Sequence, residues 1–287
     1  MLSLSQLENL ITTAPIPIGP WSILVVNFVK TNAAGFFNII SSVLGFLLNN
    51  TQTALLAVPA PLLLVLFVVG IWLTRRSWKL AIGVGIALLF VMNQGYWNDT
   101  VLTLALILYT VIFCMIIGVP IGIAAAHRPW LYKTLRPILD LMQTLPTFVY
   151  LIPTLVLFGL GNVPGLISTI VFVLPTPIRL TYLGISSVPR PLIEAGEAFG
   201  ATKWQLLYKI ELRSAFPMIL TGFTQVIMLS LSMVVITALV GAGGLGEPVV
   251  DAMETVQIGE GFTSGLAIVI LAIILDRVFR PSESKTK

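Results

Sequence analysis

Runs of about twenty apolar residues recur along this chain from Ala54 to Phe279, and they constrain its fold more than any other feature. As a helix, such a run measures about 30 Å, the thickness of the hydrocarbon core of a bilayer. Hydrophobic residues make up 57% of the chain and charged residues 10%. In a typical soluble domain, about 45–50% of the residues are hydrophobic and about 25% are charged. The sequence therefore predicts an all-α, polytopic membrane protein.

Seven segments are long and apolar enough to cross the membrane. They cover residues 54–73, 80–97, 100–126, 137–160, 163–186, 214–240 and 262–279. Kinks are predicted in the fourth and fifth segments at Pro146, Pro153, Pro175 and Pro177. Gly118 and Gly122 have the GxxxG spacing that lets a neighbouring helix approach closely, although this spacing also arises by chance in a glycine-rich membrane protein.

The distribution of lysine and arginine predicts the orientation of the chain. If the loop 74–79 is cytoplasmic, alternation of the spans places every lysine and arginine except Lys30 on that side or near that end of a helix. The loop 241–261 on the other side carries four acidic residues and no basic one. We therefore expect the N-terminus outside and the C-terminus in the cytoplasm. Because the basic residues fall between apolar runs, the net charge of +4 does not indicate nucleic-acid binding.

The first 53 residues differ from the rest of the chain. From Phe36 to Leu48, polar or small residues recur every three or four positions, which predicts an amphipathic helix in the membrane interface or, alternatively, an eighth span. Residues 1–20 lack the basic start of a secretory signal peptide. We divide the chain into an N-terminal segment (1–53), a transmembrane domain (54–280) and a cytoplasmic tail (281–287).

The most polar internal stretch, Ser187–Pro217, lies between the fifth and sixth predicted spans and is too charged to enter the membrane. A short helix from Pro191 to Phe199 is predicted to end at Gly200, a residue that stops helices. Thr202 is then expected to cap a second helix, with Gln205 completing a capping box. The stretch therefore predicts two short helices joined by a tight turn.

This stretch resembles the EAA loop of the permeases of bacterial ATP-binding-cassette importers. The residues that carry the resemblance are Glu194, Ala195, Gly196, Gly200, Ile210 and Leu212. The chain departs from the family pattern twice, with Gly196 in place of a third alanine and Arg213 in place of a proline. The resemblance implies a loop that docks into a groove of an ATPase subunit and passes its motion to the membrane helices. The alternative is an ordinary cytoplasmic loop.

Other stretches narrow the resemblance to permeases for glycine betaine, proline betaine and choline, of the ProW and OpuAB type. They are residues 140–153, 158–165, 231–249 and 268–277, and the likeness extends over about 55–280. It implies a MetI-like core over about 98–280, with a coupling loop at 187–217. It also implies a homodimer, a separate ATPase that binds ATP and Mg, and an extracytoplasmic substrate-binding protein or domain. The resemblance implies a location in the bacterial inner membrane and no cofactor of this chain.

Three other features have simpler interpretations. The segment 241–246 matches GxGxxG, but it follows a predicted membrane helix and not a strand, so that tight packing explains it better than a dinucleotide site. The sequence contains no GxxxxGK[ST] phosphate loop, so ATP hydrolysis is assigned to another chain. His127 is interpreted as an interfacial anchor in preference to a proton relay, and Cys114 is interpreted as a buried packing residue.

A transport subunit of an importer is the function that these observations favour. An ion-coupled secondary transporter would need acidic or histidine residues deep in its spans, whereas Asp140, Arg179 and Asp276 lie near helix ends. An enzyme would need a catalytic or metal-binding cluster, and the sequence shows none. The candidates for the translocation pathway are Gln143, Thr144, Phe148, Tyr150 and Gln225. The aromatic faces among them could hold a quaternary ammonium ion by cation–π attraction, or could simply pack between helices.

Overall fold

The computed structural model of the protein describes residues 18–279, and the predictions for residues 1–17 and for the tail 281–287 lie outside this range. Within the described range every regular element is a helix, as predicted. The helices are α1 (Ile18–Asn32), α2 (Ala34–Leu56), α3 (Ala60–Arg75), α4 (Trp78–Asn93), α5 (Trp97–His127), α6 (Pro129–Thr144), α7 (Thr147–Phe158), α8 (Asn162–Val173), α9 (Pro175–Ser186), α10 (Arg190–Ala198), α11 (Lys203–Leu206), a π turn (Leu207–Glu211), α12 (Leu212–Ala238), α13 (Gly246–Glu254) and α14 (Ile258–Phe279).

Four of the predicted spans are confirmed as helices long enough to cross a membrane. α5 has 31 residues and α14 has 22. α8 and α9 together form a 25-residue span, interrupted only at Leu174, immediately before Pro175. α11, the π turn and α12 form one helix of 36 residues, Lys203–Ala238, which extends the sixth predicted span well beyond its expected start.

The other three predicted spans are shorter or broken. α3 and α4 have 16 residues each, which corresponds to about 24 Å against the about 30 Å of a hydrocarbon core. The segment predicted as one kinked span over 137–160 is instead divided between α6 and α7, which meet at 97°. Pro146 breaks the helix here because it has no N–H to donate and disfavours a helical conformation at Leu145, where ψ is 134°.

All seven predicted spans therefore coincide with helical segments, but two of these helices are short and one span is broken in two. Among the described residues, five helices are long and apolar enough to cross a membrane, or six if the bent pair α6 and α7 is one span.

α2 is the fifth of these long helices and contains the amphipathic helix predicted over 36–48. Leu44 and Leu48 are buried in a cluster with residues of α5 and α8, and the Thr51 hydroxyl lies 2.6 Å from that of Tyr109 in α5. The length and composition of α2 fit an additional span, and its contacts with the first half of α5 and the start of α8 fit an interfacial helix equally well.

The GxxxG spacing of α5 marks a close approach to α9, as the sequence allowed. A Cβ at Gly118 would lie 2.7 Å from Cγ of Pro177, and a Cβ at Gly122 would lie 2.6 Å from Cβ of Thr181. The two helices therefore pack almost backbone to backbone. Cys114, one turn before Gly118, is fully buried, as its interpretation as a packing residue requires.

The two ends of the bundle differ in charge. At one end the turn 159–161 meets the segment 239–245, through a hydrogen bond of 2.9 Å from the Gly161 N–H to the Val240 carbonyl. The start of α5 meets the same segment, because the Leu245 N–H donates to the Thr103 hydroxyl. The acidic residues of 247–260 follow this segment, and we call this the acidic end. At the other end, the basic end, lie the turn 76–77, Arg128 and residues 187–211. The predicted asymmetry of charge is thus built into the fold.

Candidate functional site

The stretch that joins α9 to α12 projects from the basic end as two short helices, α10 and α11, joined by a turn. Gly200 has a φ of +75°, the left-handed conformation that favours glycine. Its N–H donates to the Glu197 carbonyl (2.8 Å), and the Ala201 N–H donates to the Gly196 carbonyl (3.0 Å). These bonds end α10 at the place predicted from the sequence. Residues 190–211, which lie within the predicted coupling loop 187–217, form this projection, and we call them the coupling loop.

The second helix of the coupling loop begins at the predicted capping box. The Gln205 N–H donates to the Thr202 hydroxyl (3.4 Å), and the Thr202 N–H donates to Oε1 of Gln205 (2.8 Å). Two N–H groups at the start of α11 are thereby satisfied within the loop itself. The turn between α10 and α11 is therefore defined by its own sequence.

Gly196, where the family pattern has alanine, lies at the contact between the two arms of the loop. A Cβ at this position would lie 2.6 Å from side-chain carbons of both Leu206 and Ile210. The glycine leaves room for the ends of these two side chains, which would have to shift if an alanine stood here. The departure from the pattern thus has a packing reason.

The π turn after α11 was not predicted. The Leu212 N–H donates to the Leu207 carbonyl, five residues back. Because a π turn contains one residue more than an α turn, it rotates the residues on either side by about 100° relative to a continuous α-helix. Glu211 is buried at this turn, with 7% of its surface exposed.

His127, the last residue of α5, contacts Glu211. Its Nε2 lies 2.8 Å from Oε2 of the carboxylate. The histidine side chain is 45% exposed and that of the glutamate 10%. The partial exposure of the ring agrees with a residue at the membrane interface, but its carboxylate partner 84 positions away was not foreseen from the sequence.

The six residues that carry the resemblance divide between the surface and the interior of the coupling loop. Glu194, Ala195 and Gly200 are exposed, Gly196 is buried, and Ile210 and Leu212 are half-buried. Three large aromatic side chains missed by the sequence analysis are also highly exposed here: Phe199 (93%), Trp204 (79%) and Tyr208 (76%). Exposed aromatic residues next to a structured turn are typical of a docking surface.

The pathway candidates from α6 and α7 lie on both sides of the bend at Pro146. Gln143, Thr144 and Phe148 are exposed there. Tyr150 is buried instead: its ring lies edge-on to that of Phe172 at 6.0 Å, and its hydroxyl donates to the Met142 carbonyl. This tyrosine holds α7 against α6 and α8, so packing, the alternative considered from the sequence, accounts for its aromatic ring.

Gln225, the fifth pathway candidate, lies on α12. It shares an exposed face of that helix with Met228 and Ser232, three and seven residues further on. The opposite face of α12 is buried in the centre of the bundle through Val226, Ser230 and Met233. The chain thus exposes polar groups along one side of a membrane helix.

The glycine-rich segment 241–246 packs tightly at the acidic end, as predicted in place of a dinucleotide site. A Cβ at Gly246 would overlap the Val234 carbonyl oxygen. The Gly243 N–H donates to Oδ1 of Asn162 (2.8 Å), and the Leu245 N–H donates to the Thr103 hydroxyl (2.9 Å). The segment therefore ties α12 to α5 and α8.

Comparison with known proteins relates this architecture to transport systems. Residues 118–280 match the family described as binding-protein-dependent transport system inner membrane component. This range runs from the close approach of α5 and α9 to the end of α14, with the whole coupling loop inside it.

Individual relatives cover most of the chain. It is 42% identical over 267 residues to the Escherichia coli glycine betaine/proline betaine transport system permease protein ProW, over 92% of this chain and 74% of that protein. It is 43% identical over 263 residues to the Bacillus subtilis glycine betaine transport system permease protein OpuAB, over 91% and 93%. Among solved structures, an inward-facing form of the MetNI methionine ABC transporter matches with a TM-score of 0.56 and 26% identity. That match covers 62% of this chain and 91% of the MetNI chain.

Proposed function

The chain belongs to the family of binding-protein-dependent transport system inner membrane components, and from this membership we propose that it forms the translocation pore of an ATP-driven importer for quaternary ammonium solutes. Glycine betaine, proline betaine and choline are the expected cargo. The chain is a transport permease with a MetI-like fold. The observation that carries the proposal is the coupling loop, a polar helix pair held in a defined shape at the basic end of an apolar bundle.

The proposed partner at this loop is an ATPase subunit, which binds ATP and Mg. Phe199, Trp204 and Tyr208 offer apolar surface to a groove on that subunit, and Glu194 adds a charge. When ATP closes the ATPases, the loops move with them, and the membrane helices change the side to which the pore opens. The work of this chain is thus motion, with no bond chemistry of its own.

The exposed face of α12 supports a pore shared by two copies of the chain. The amide of Gln225 would be costly to expose to hydrocarbon, and this residue shares its face with Ser232. This face therefore meets water or a second chain in place of lipid. A homodimer that encloses a polar path along α12 satisfies both conditions.

The proposed cargo rests on the relatives, whose names specify glycine betaine and proline betaine. The chain's own residues are compatible with it. A quaternary ammonium ion has no N–H to donate, so an aromatic face can hold it by cation–π attraction where a hydrogen bond cannot form, and neutral polar groups can line its path. Phe148, Gln143 and Thr144 supply such groups at the bend. An outer binding protein is expected to provide tight capture, because a pore that bound tightly would release slowly.

Uptake by the reconstituted transporter tests this proposal. Vesicles would contain this chain, its ATPase and its binding protein, with ATP supplied on the ATPase side and labelled glycine betaine on the other. We expect ATP-dependent uptake that excess proline betaine or choline inhibits and that methionine does not. Vesicles without the ATPase subunit serve as the control. Inhibition by methionine, with none by any quaternary ammonium compound, would refute the cargo and leave the importer class unchanged.

The proposed orientation places the basic end in the cytoplasm and the N-terminus outside. In a Cys114→Ala background, single cysteines in place of Arg76, Lys133 and Lys203 should react with an impermeant maleimide only from the cytoplasmic side. A cysteine in place of Glu254, exposed at the acidic end, should react only from outside. The reverse pattern at any one of these positions would contradict the orientation.

A further inference from the structure

Glu211 is the one charged side chain that is buried among residues 18–279. A buried carboxylate is unfavourable unless a partner compensates the loss of its hydration. The partner here is His127, with Nε2 at 2.8 Å from the carboxylate oxygen. Removing either side chain alone would therefore cost more than the exposed position of the histidine suggests.

The two residues join elements that the chain does not connect directly. The coupling loop follows α9 and continues into α12, so any movement of the loop passes along the chain to these two helices. α5 ends at His127 and continues into α6, far from the loop in sequence. The contact between His127 and Glu211 thus links the end of α5 to the base of the loop.

A second contact already holds α5 to α9 further into the bundle. It is the close approach at Gly118 and Gly122, where the backbones are almost in contact. With the histidine contact at its end, α5 is held at two separate points to elements that move with the loop. A helix held at both points follows the loop as one body, whereas a helix held at only one can pivot.

We propose that His127 is a positioning residue which, through Glu211, makes α5 follow the coupling loop when the ATPase subunits close. This inference rests on the proposed function of the loop. The chemistry requires an N–H aimed at the carboxylate, and either the neutral ring or the imidazolium provides one at Nε2. The side-chain amide of glutamine carries a comparable donor, whereas alanine carries none.

Distance measurements test the link without reference to the cargo. Spin labels would be attached to cysteines in place of Arg128 and Lys203, both exposed, in a Cys114→Ala background. The labelled chain would be diluted with unlabelled chain in the complete transporter. In the parent protein we expect a single narrow distribution of distances between the two labels, and we expect ATP to leave it unchanged. His127→Ala should broaden or shift it on addition of ATP, and His127→Gln should restore it. The same response to ATP in the parent and in His127→Ala would overturn the proposal.

Coupled transport provides the functional measurement. We expect His127→Ala and Glu211→Ala each to lower the solute taken up per ATP hydrolysed by about threefold or more, the factor expected for two residues in direct contact. The double variant should be no worse than either single one. Lys133→Ala, exposed on α6, is the control and should leave the ratio unchanged. Unchanged ratios in both single variants, or losses that multiply in the double variant, would refute the link. A parent complex that transports no quaternary ammonium compound would refute only the proposed cargo.

Discussion

Gly200→Val should lower solute uptake by the complete transporter at least about tenfold while its ATPase subunits continue to hydrolyse ATP. Residue 200 has a φ of +75°, and a left-handed conformation costs a residue with a Cβ about 1–2 kcal/mol, more for a β-branched one. Since about 1.4 kcal/mol corresponds to a factor of ten, valine would lower the equilibrium constant for the native turn by about this factor. The turn would then relax and move α10 and its exposed residues away from the docking position.

Gly200→Asn is the matched control for this prediction. Asparagine tolerates the left-handed conformation far better than valine, and a Cβ at this position would have no atom within 4 Å. Space is therefore not limiting, and only the backbone conformation separates the two variants. We expect Gly200→Asn to retain most of the uptake. Normal uptake by a well-folded Gly200→Val complex would show that this turn is not the coupling element.

The ends of the two short helices of the coupling loop could be predicted from the sequence because local chemistry sets them. Gly200 stops one helix and Thr202 with Gln205 starts the next, and each of these signals acts within a few residues. The π turn left no comparable signal in the sequence, and two of its residues contact other helices, Ile210 beside Gly196 of α10 and Glu211 beside His127 of α5. Without the change of register at this turn, neither the burial of Glu211 nor the exposure of Trp204 and Tyr208 could be foreseen.

The course of the chain through the membrane was harder to predict for a related reason. Hydropathy located the apolar segments, but Pro146 is compatible with a mild kink as well as with the 97° bend that separates α6 from α7. The choice depends on contacts distant in sequence, such as that of Tyr150 with Phe172. α2 is a similar case: its polar stripe suits both a membrane surface and a neighbouring helix, and the contacts of Leu44 and Leu48 with the bundle could not be foreseen from it.

The second large effect is expected where α5 meets α9. Gly122→Ala should destabilise the protein by about 1–3 kcal/mol, the usual cost of inserting atoms into a closely packed site. The added Cβ would lie 2.6 Å from Cβ of Thr181 and 2.7 Å from the Ile178 carbonyl oxygen. Neither atom is the end of a flexible side chain, so α5 and α9 would have to move apart. The thermal denaturation midpoint of the purified protein in detergent measures the loss.

Gly83→Ala is the control that separates this contact from the general effect of adding a methyl group. Residue 83 is exposed on α4, and a Cβ there would have no atom within 4 Å. Alanine in place of glycine inside a helix is otherwise favourable by about 0.5–1 kcal/mol, so Gly83→Ala should keep or raise the midpoint. Because α9 leads directly into the coupling loop, the separation caused by Gly122→Ala should also reduce uptake per ATP. Equal midpoints for the two variants would mean that α5 and α9 can separate at little cost, and that their close approach does not transmit motion from the loop.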